Sequence, residues 1–121
     1  MSKIEVNNLE DAESYQFDEI TECWTNLVSA DDYGVFLGVC AYGALPKGTS
    51  PEDLAHPEGE AELFHVIRGN GFVFLEGNEV TPLRAGDSFV LPAQPNHQIW
   101  SASEDEPIVI LFVAMDGKRR G

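Results

Sequence analysis

The chain has 121 residues, 43% of them apolar and 23% charged, with a formal net charge of -14. This is enough chain for one domain with a modest core, and the composition excludes disorder as the general state. Twenty-one acidic residues against seven basic ones repel phosphate backbones, so no nucleic acid and no anionic membrane is expected as a partner.

Taken in order, residues 1–14 are polar around isolated Ile4, Val6 and Leu9, which suits an irregular arm or a short edge strand. Phe17, Ile20, Trp24, Leu27 and Val28 fit either a short helix or a strand and turn around Trp24. Ala30 to Gly34 reads as a turn, and Val35 to Tyr42 as a strand. Residues 43–61 hold Gly43, Gly48, Gly59, Pro46, Pro51 and Pro57 and form a long loop of the kind that often carries function. Strands then follow from Glu62 to Gly69, Phe72 to Leu75, Val80 to Leu83 and Ser88 to Leu91. Turns at Gly69-Asn70-Gly71, Gly77-Asn78 and Gly86-Asp87 separate them. Pro92 and Pro95 bound a rigid bend before His97, Gln98 to Trp100 resumes a strand, and Ser101 to Pro107 is a polar turn. Ile108 to Ala114 is continuously apolar, which requires cover on both faces or an oligomeric face. The division expected is an N-terminal arm over 1–34 packed on a barrel over 35–114, with a tail over 115–121. Short strands joined by Gly/Pro turns make an all-β sandwich or barrel the natural fold.

No apolar run reaches membrane-spanning length, and the acidic start lacks the basic and apolar regions of a signal peptide. A cytoplasmic protein fits this. The acidity suits a salty cytoplasm or simply an acidic, soluble protein. Cys23 and Cys40 sit among apolar neighbours and read as buried thiols rather than a disulfide.

The chemistry concentrates between His56 and His97. His56, Glu58 and Glu62 stand at even intervals, so in an extended segment they face one side. Phe64 and Val66 continue that side into the core. A carboxylate pointing into a barrel needs a proton, a cation or a metal, and His97 is the distant partner at a strand mouth. Glu60 joins the set if the loop bends. A metal-free barrel with Glu62 paired to His97 is the structural alternative. His65 points away from Glu62 and reads as a packing or interface residue. Arg68 shares the parity of Glu62 but lies toward the far end of its strand, where surface carboxylates would pair with it. Aromatic lining candidates are Tyr42, Phe72 and Trp100, together with Phe36 and Phe74. Gln94 and Asn96 could hydrogen-bond a substrate or orient a ligand.

These spacings resemble a small single-domain cupin. Its first motif runs Gly, five residues, His-x-His, three or four residues, Glu, six residues, Gly. Here His56-Pro57-Glu58 stands at His-x-His, Glu62 follows after three residues and Gly69 after six more. Its second motif runs Gly, five residues, Pro-x-Gly, two residues, His, three residues, Asn, and Gly86, Pro92 and His97 match it. Glu58 replaces a histidine, Gln94 a glycine and Ser101 an asparagine, and the first motif's opening glycine falls on Ser50.

The resemblance implies a cupin-type double-stranded β-helix (jelly-roll) barrel with one divalent metal held by His56, Glu62 and His97. Glu58 would be a hard-donor substitute for the missing histidine. The expected ion is Fe, Mn, Ni or Zn, with Fe or Mn favoured by the His/carboxylate set and its open positions. With four ligands the site is near neutral and keeps room for a chelating hydroxy-ketone, enediol or diketone. The activity expected is a metal-dependent dioxygenase acting on a small oxygen-rich molecule. A metal-dependent isomerase or lyase and a non-catalytic small-ligand-binding cupin are the alternatives, and a homodimer is the expected assembly.

Overall fold

The computed structural model describes residues 6, 8–11, 15–16, 23–30, 35–57 and 60–115. Their strands are β1 (Tyr15–Gln16), β2 (Cys23–Ala30), β3 (Val35–Tyr42), β4 (Glu62–Arg68), β5 (Gly71–Leu75), β6 (Thr81–Leu83), β7 (Ser88–Leu91), β8 (His97–Ser101) and β9 (Ile108–Met115). One sheet runs β1-β2-β3-β9-β4-β7 and the other β6-β5-β8. Phe64, Val66, Ile110 and Phe112 of the first share one buried cluster with Val73, Leu83 and Ile99 of the second. The fold is therefore an all-β jelly-roll barrel with its core between two sheets.

The open choice between helix and strand before Ala30 resolves as strand over residues 23–30, antiparallel to β3 along its length. The backbone of this part of the arm thus extends the barrel's larger sheet. Phe17 and Ile20 lie outside the described residues, as does the side chain of Cys23. Cys40 is buried in the core.

The long loop after β3 is not wholly irregular. It contains a one-turn helix, α1 (Pro51–Leu54), beside β8. Ser50 caps it: Asp53 N–H donates to Ser50 Oγ at 3.3 Å, and Ser50 N–H donates to Asp53 Oδ2 at 3.1 Å. Pro51 follows at the first helical position, where a missing N–H costs nothing. The cap thus explains the Ser50 that stands where the family motif has glycine.

Alternation on β4 follows the sequence reading as far as Val66. Phe64 and Val66 are buried, and Leu63, His65 and Ile67 are exposed. A register shift between Val66 and Arg68 then breaks the alternation, and Arg68 is exposed. Parity alone could not foresee that irregularity. The continuous apolar run of β9 forms a central strand, flanked by β3 and β4. Ile108, Ile110, Phe112 and Ala114 enter the core, while Val109, Leu111 and Val113 form the other face.

Gly69 illustrates how tightly the barrel closes. Its φ is +88°, and a Cβ there would stand 2.7 Å from the Pro107 carbonyl oxygen and 3.0 Å from Ile108 Cα. Both neighbours are backbone and cannot rotate aside. Gly69→Ala is expected to cost at least ~2 kcal/mol, from left-handed strain plus the clash. Chemical denaturation measures it, and a loss below ~0.5 kcal/mol would contradict the close approach.

Candidate metal centre

The site is assembled by two long-range relations and one local contact. First, His56 and His97 form an isolated antiparallel bridge. His56 N–H donates to the His97 carbonyl at 3.1 Å, and His97 N–H donates to the His56 carbonyl at 2.9 Å. Their ring centroids lie 4.9 Å apart, tilted by 53°. The rigid bend at Pro92 to Pro95 and the loop after α1 thus deliver two imidazoles to one place.

Second, His97 and Glu62 lie toward the same end of the barrel. Glu62 pairs with Ala114 and Leu91, and Ala114 pairs with Phe36, so one row crosses four strands. Ala114 and Leu91 belong to the buried core and Phe36 packs against it. Glu62 therefore carries its carboxylate into an apolar row, where a charge requires compensation. At the far end of β3 and β9, Tyr42 pairs with Ile108. There Ser101 N–H donates to the carbonyl of neighbouring Gly43 at 2.8 Å, and β8 runs from Ser101 back to His97 at the end of Glu62.

Third, the ring of His56 has a defined orientation. Its Nδ1 lies 3.4 Å from the Leu54 carbonyl oxygen. A carbonyl only accepts, so Nδ1 carries the proton in the neutral ring and Nε2 carries the lone pair. Such a backbone partner on the second nitrogen is a common feature of histidine ligands. His97 is 4% exposed, so its imidazole is sheltered from bulk water.

The carboxylates differ in what is visible. Glu58 lies outside the described residues. Glu60 has its Oε2 buried with no hydrogen-bond partner, an arrangement that a cation would satisfy. Among the described residues, no group of three or more His, Cys, Asp or Glu side chains is gathered to hold a metal. The donors common to one barrel end are thus the two histidines and Glu62, with Glu60 in the intervening segment.

The remaining pocket candidates separate. Tyr42 is buried at the opposite end, about 20 Å away by the rise of six strand residues. Phe72 and Trp100 contact one another with ring centroids 5.6 Å apart. On their strands they alternate with Val73 and Ile99, which enter the core, so they occupy the other face of the smaller sheet. β5 is apolar at every position after Gly71, so its sequence gave no means of telling the two faces of this sheet apart. Asn96 is half-buried and held through its backbone: its N–H donates to Glu76 Oε1 at 3.2 Å, and its carbonyl accepts from Glu76 N–H at 2.8 Å. Ser101, at the family's asparagine position, donates its hydroxyl to the Glu106 carbonyl at 2.6 Å and organises the following turn. His65 lies on the outer face, its Nδ1 2.7 Å from Ser88 Oγ.

Gln94 is exposed and has a φ of +87°, alone in the left-handed region among the described non-glycine residues. The physical need for a glycine there is therefore retained although the residue is not. Gln94→Gly is expected to stabilise the protein by about 1 kcal/mol, since the strain relieved exceeds the added unfolded-state entropy. Thermal unfolding should show a Tm higher by a few degrees. A lowered Tm would contradict a strained backbone.

A jelly-roll barrel with histidines and a carboxylate toward one end defines the class. Residues 42–114 match the family model described as a cupin domain, and the chain belongs to the cupin family. A search of the curated proteins gives no match. Among solved structures, an RmlC-like cupin from Shewanella frigidimarina is similar with a TM-score of 0.71 and 14% identity, covering 98% of this chain and 96% of that one. Hydroxypropylphosphonic acid epoxidase from S. wedmorenis is similar with a TM-score of 0.72 and 13% identity, covering 93% of this chain and 59% of that one. KdgF from Halomonas sp. is similar with a TM-score of 0.69 and 17% identity, covering 93% and 94%. At these identities the likeness is one of fold. No helix among the described residues is long and apolar enough to cross a membrane.

The donor chemistry fits the divalent ion that cupins commonly hold. Two adjacent imidazoles, one with Nε2 left as the basic nitrogen, and a partnerless buried oxygen on Glu60 supply the ligand types such an ion takes.

Proposed function

We propose that this cupin is a metal-dependent enzyme acting on a small oxygen-rich organic molecule, and specifically a dioxygenase. The observation that carries the reading is the meeting of His56 and His97 at 4.9 Å. His56 and His97 hold the ion, and carboxylates from 58–62 complete its shell, with Glu62 the principal one. Bound iron supplies a Lewis acid and a route for dioxygen chemistry. Support for iron comes from the fold likeness to the Fe(II) form of the epoxidase, with a TM-score of 0.73. This chain covers 60% of that protein.

The protein's own residues prepare the site. The Leu54 carbonyl favours the Nδ1-protonated tautomer of His56, and the backbone bridge holds the two histidines side by side. Phe64, Phe89 and Phe112 form an apolar wall beyond Glu62. Each added carboxylate lowers the net charge of the site and weakens its attraction for anionic substrates. A neutral chelating substrate therefore suits it best.

Metal analysis of the purified protein, combined with oxygen uptake across hydroxy-ketones, enediols and diketones, tests this reading. Iron near one per chain with substrate-dependent oxygen consumption supports it. Manganese, nickel or zinc with isomerisation or elimination and no oxygen uptake would replace it with the isomerase or lyase alternative. Metal-free protein that still binds such a compound would make it a binding module.

A further inference from the structure

The end of the barrel opposite the histidines holds an open cleft of about 560 Å³. That space falls within the ~300–1,000 Å³ of small-molecule sites and far exceeds what a single ion needs. One wall is the chain leaving β3, with Ala41, Ala44, Leu45 and Pro46, and the other is the turn between β8 and β9, ending at Pro107. Backbone pairing ties the two walls together: Tyr42 pairs with Ile108, and Ser101 N–H donates to the Gly43 carbonyl at 2.8 Å. Ser103 Oγ accepts from Asp105 N–H at 3.0 Å and from Glu106 N–H at 3.3 Å, which holds the turn in shape. Filling the cleft therefore demands little ordering of the protein.

Charge selects the occupant. Glu104, Asp105 and Glu106 stand exposed on the turn wall, and Lys47 stands exposed on the other. Three carboxylates against one ammonium leave the lining net negative, on a chain whose net charge is -14, so the cleft repels anions and attracts cations. Among the described residues no aromatic side chain lines it, so a ring face does not hold the cation and the apolar surface on offer is aliphatic. We infer that this cleft binds a linear aliphatic diamine or polyamine. Its methylene chain lies along Ala44, Leu45 and Pro46, where both surfaces gain by leaving water, and its ammonium groups make charge-assisted hydrogen bonds to the carboxylates of the turn. A compact inorganic cation would leave the apolar wall uncovered. Lys47 repels the ligand and limits its affinity. Tyr42, beside the cleft, lies about 20 Å from the row of Glu62, so occupancy here does not compete with the metal centre.

Titration of the full chain with spermidine at ~0.15 M salt, followed by calorimetry and by backbone amide NMR shifts, tests the inference. The expected result is saturable binding at one site, with shifts at residues 43–47 and 103–107 and none at His56 or His97. The double variant Glu104→Gln/Glu106→Gln is expected to weaken binding about five- to tenfold, since one exposed charge pair contributes up to about fivefold. Glu10→Gln/Glu79→Gln removes the same charge at exposed positions outside the cleft and leaves affinity within about twofold. Lys47→Gln, which removes a repulsion, tightens binding about two- to threefold. Hexane-1,6-diamine binds more tightly than ethane-1,2-diamine because its longer chain covers the apolar wall. Circular dichroism confirms that the variants are folded. Equal losses in the two double variants would reveal only a diffuse counter-ion atmosphere and overturn the inference. Weaker binding in Lys47→Gln overturns it too, as does the absence of saturable binding at millimolar spermidine.

Discussion

Replacing His56 by alanine is expected to weaken divalent-metal binding by more than ~100-fold, since losing even an outer-shell partner of a metal ligand costs 10–100-fold. The loss should be specific. His65→Ala, on the outer face beside Ser88, should leave affinity within about twofold of the original. His97→Ala is expected to abolish binding as well, but its burial makes a folding control necessary. His56 is only partly buried and gives the cleaner measurement. Binding should also weaken as pH falls, because both imidazoles must shed protons to ligate and protons compete with the ion. Titration of the metal-stripped protein with Fe(II) or Mn(II) at several pH values checks both expectations. Unchanged affinity in His56→Ala would remove the proposed centre.

The largest effect on stability is expected from Phe64→Ala. Phe64 is 2% exposed, stacks on Phe89 at 5.0 Å and 17°, and contacts Phe112 at 6.5 Å. These residues are also its register partners on β7 and β9. Removing the ring leaves a cavity at the junction of three strands, for an expected loss of about 3–5 kcal/mol. That is a large share of the 5–15 kcal/mol typical of a folded domain. Urea denaturation should show it directly, and Tm should fall by roughly 10–20 °C. Because Glu62 lies two residues away on the same inward face, metal affinity should fall in parallel. A loss under ~1 kcal/mol would place the centre of the core elsewhere.

Much of this architecture is legible in the sequence because local rules govern it. Glycine and proline positions mark the turns, and the left-handed φ of Gly69, Gly77 and Gly86 explains why glycine stands there. Period-two alternation correctly sets Phe64 and Val66 inside and His65 outside, since a strand without irregularity obliges it. The spacings around Glu62 and His97 suffice to recognise the family. Those same spacings do not rank Glu60 against Glu58, because sequence separation alone does not say which carboxylate a loop turns inward.

What the sequence by itself determined, then, is an all-β chain of short strands, the inward side of β4 and two separated groups of potential ligands. Only the tertiary structure decided that β9 lies at the centre of its sheet, since a continuous apolar run fits any strand covered on both faces. Only it placed Phe72 and Trp100 on the opposite side of their sheet from the core, and Tyr42 at the far end of the barrel. The register shift after Val66 likewise depends on pairing with β9 rather than on β4 alone. The union of His56 with His97 is the decisive case: backbone hydrogen bonds between segments distant in sequence fix it, and no local preference encodes that pairing.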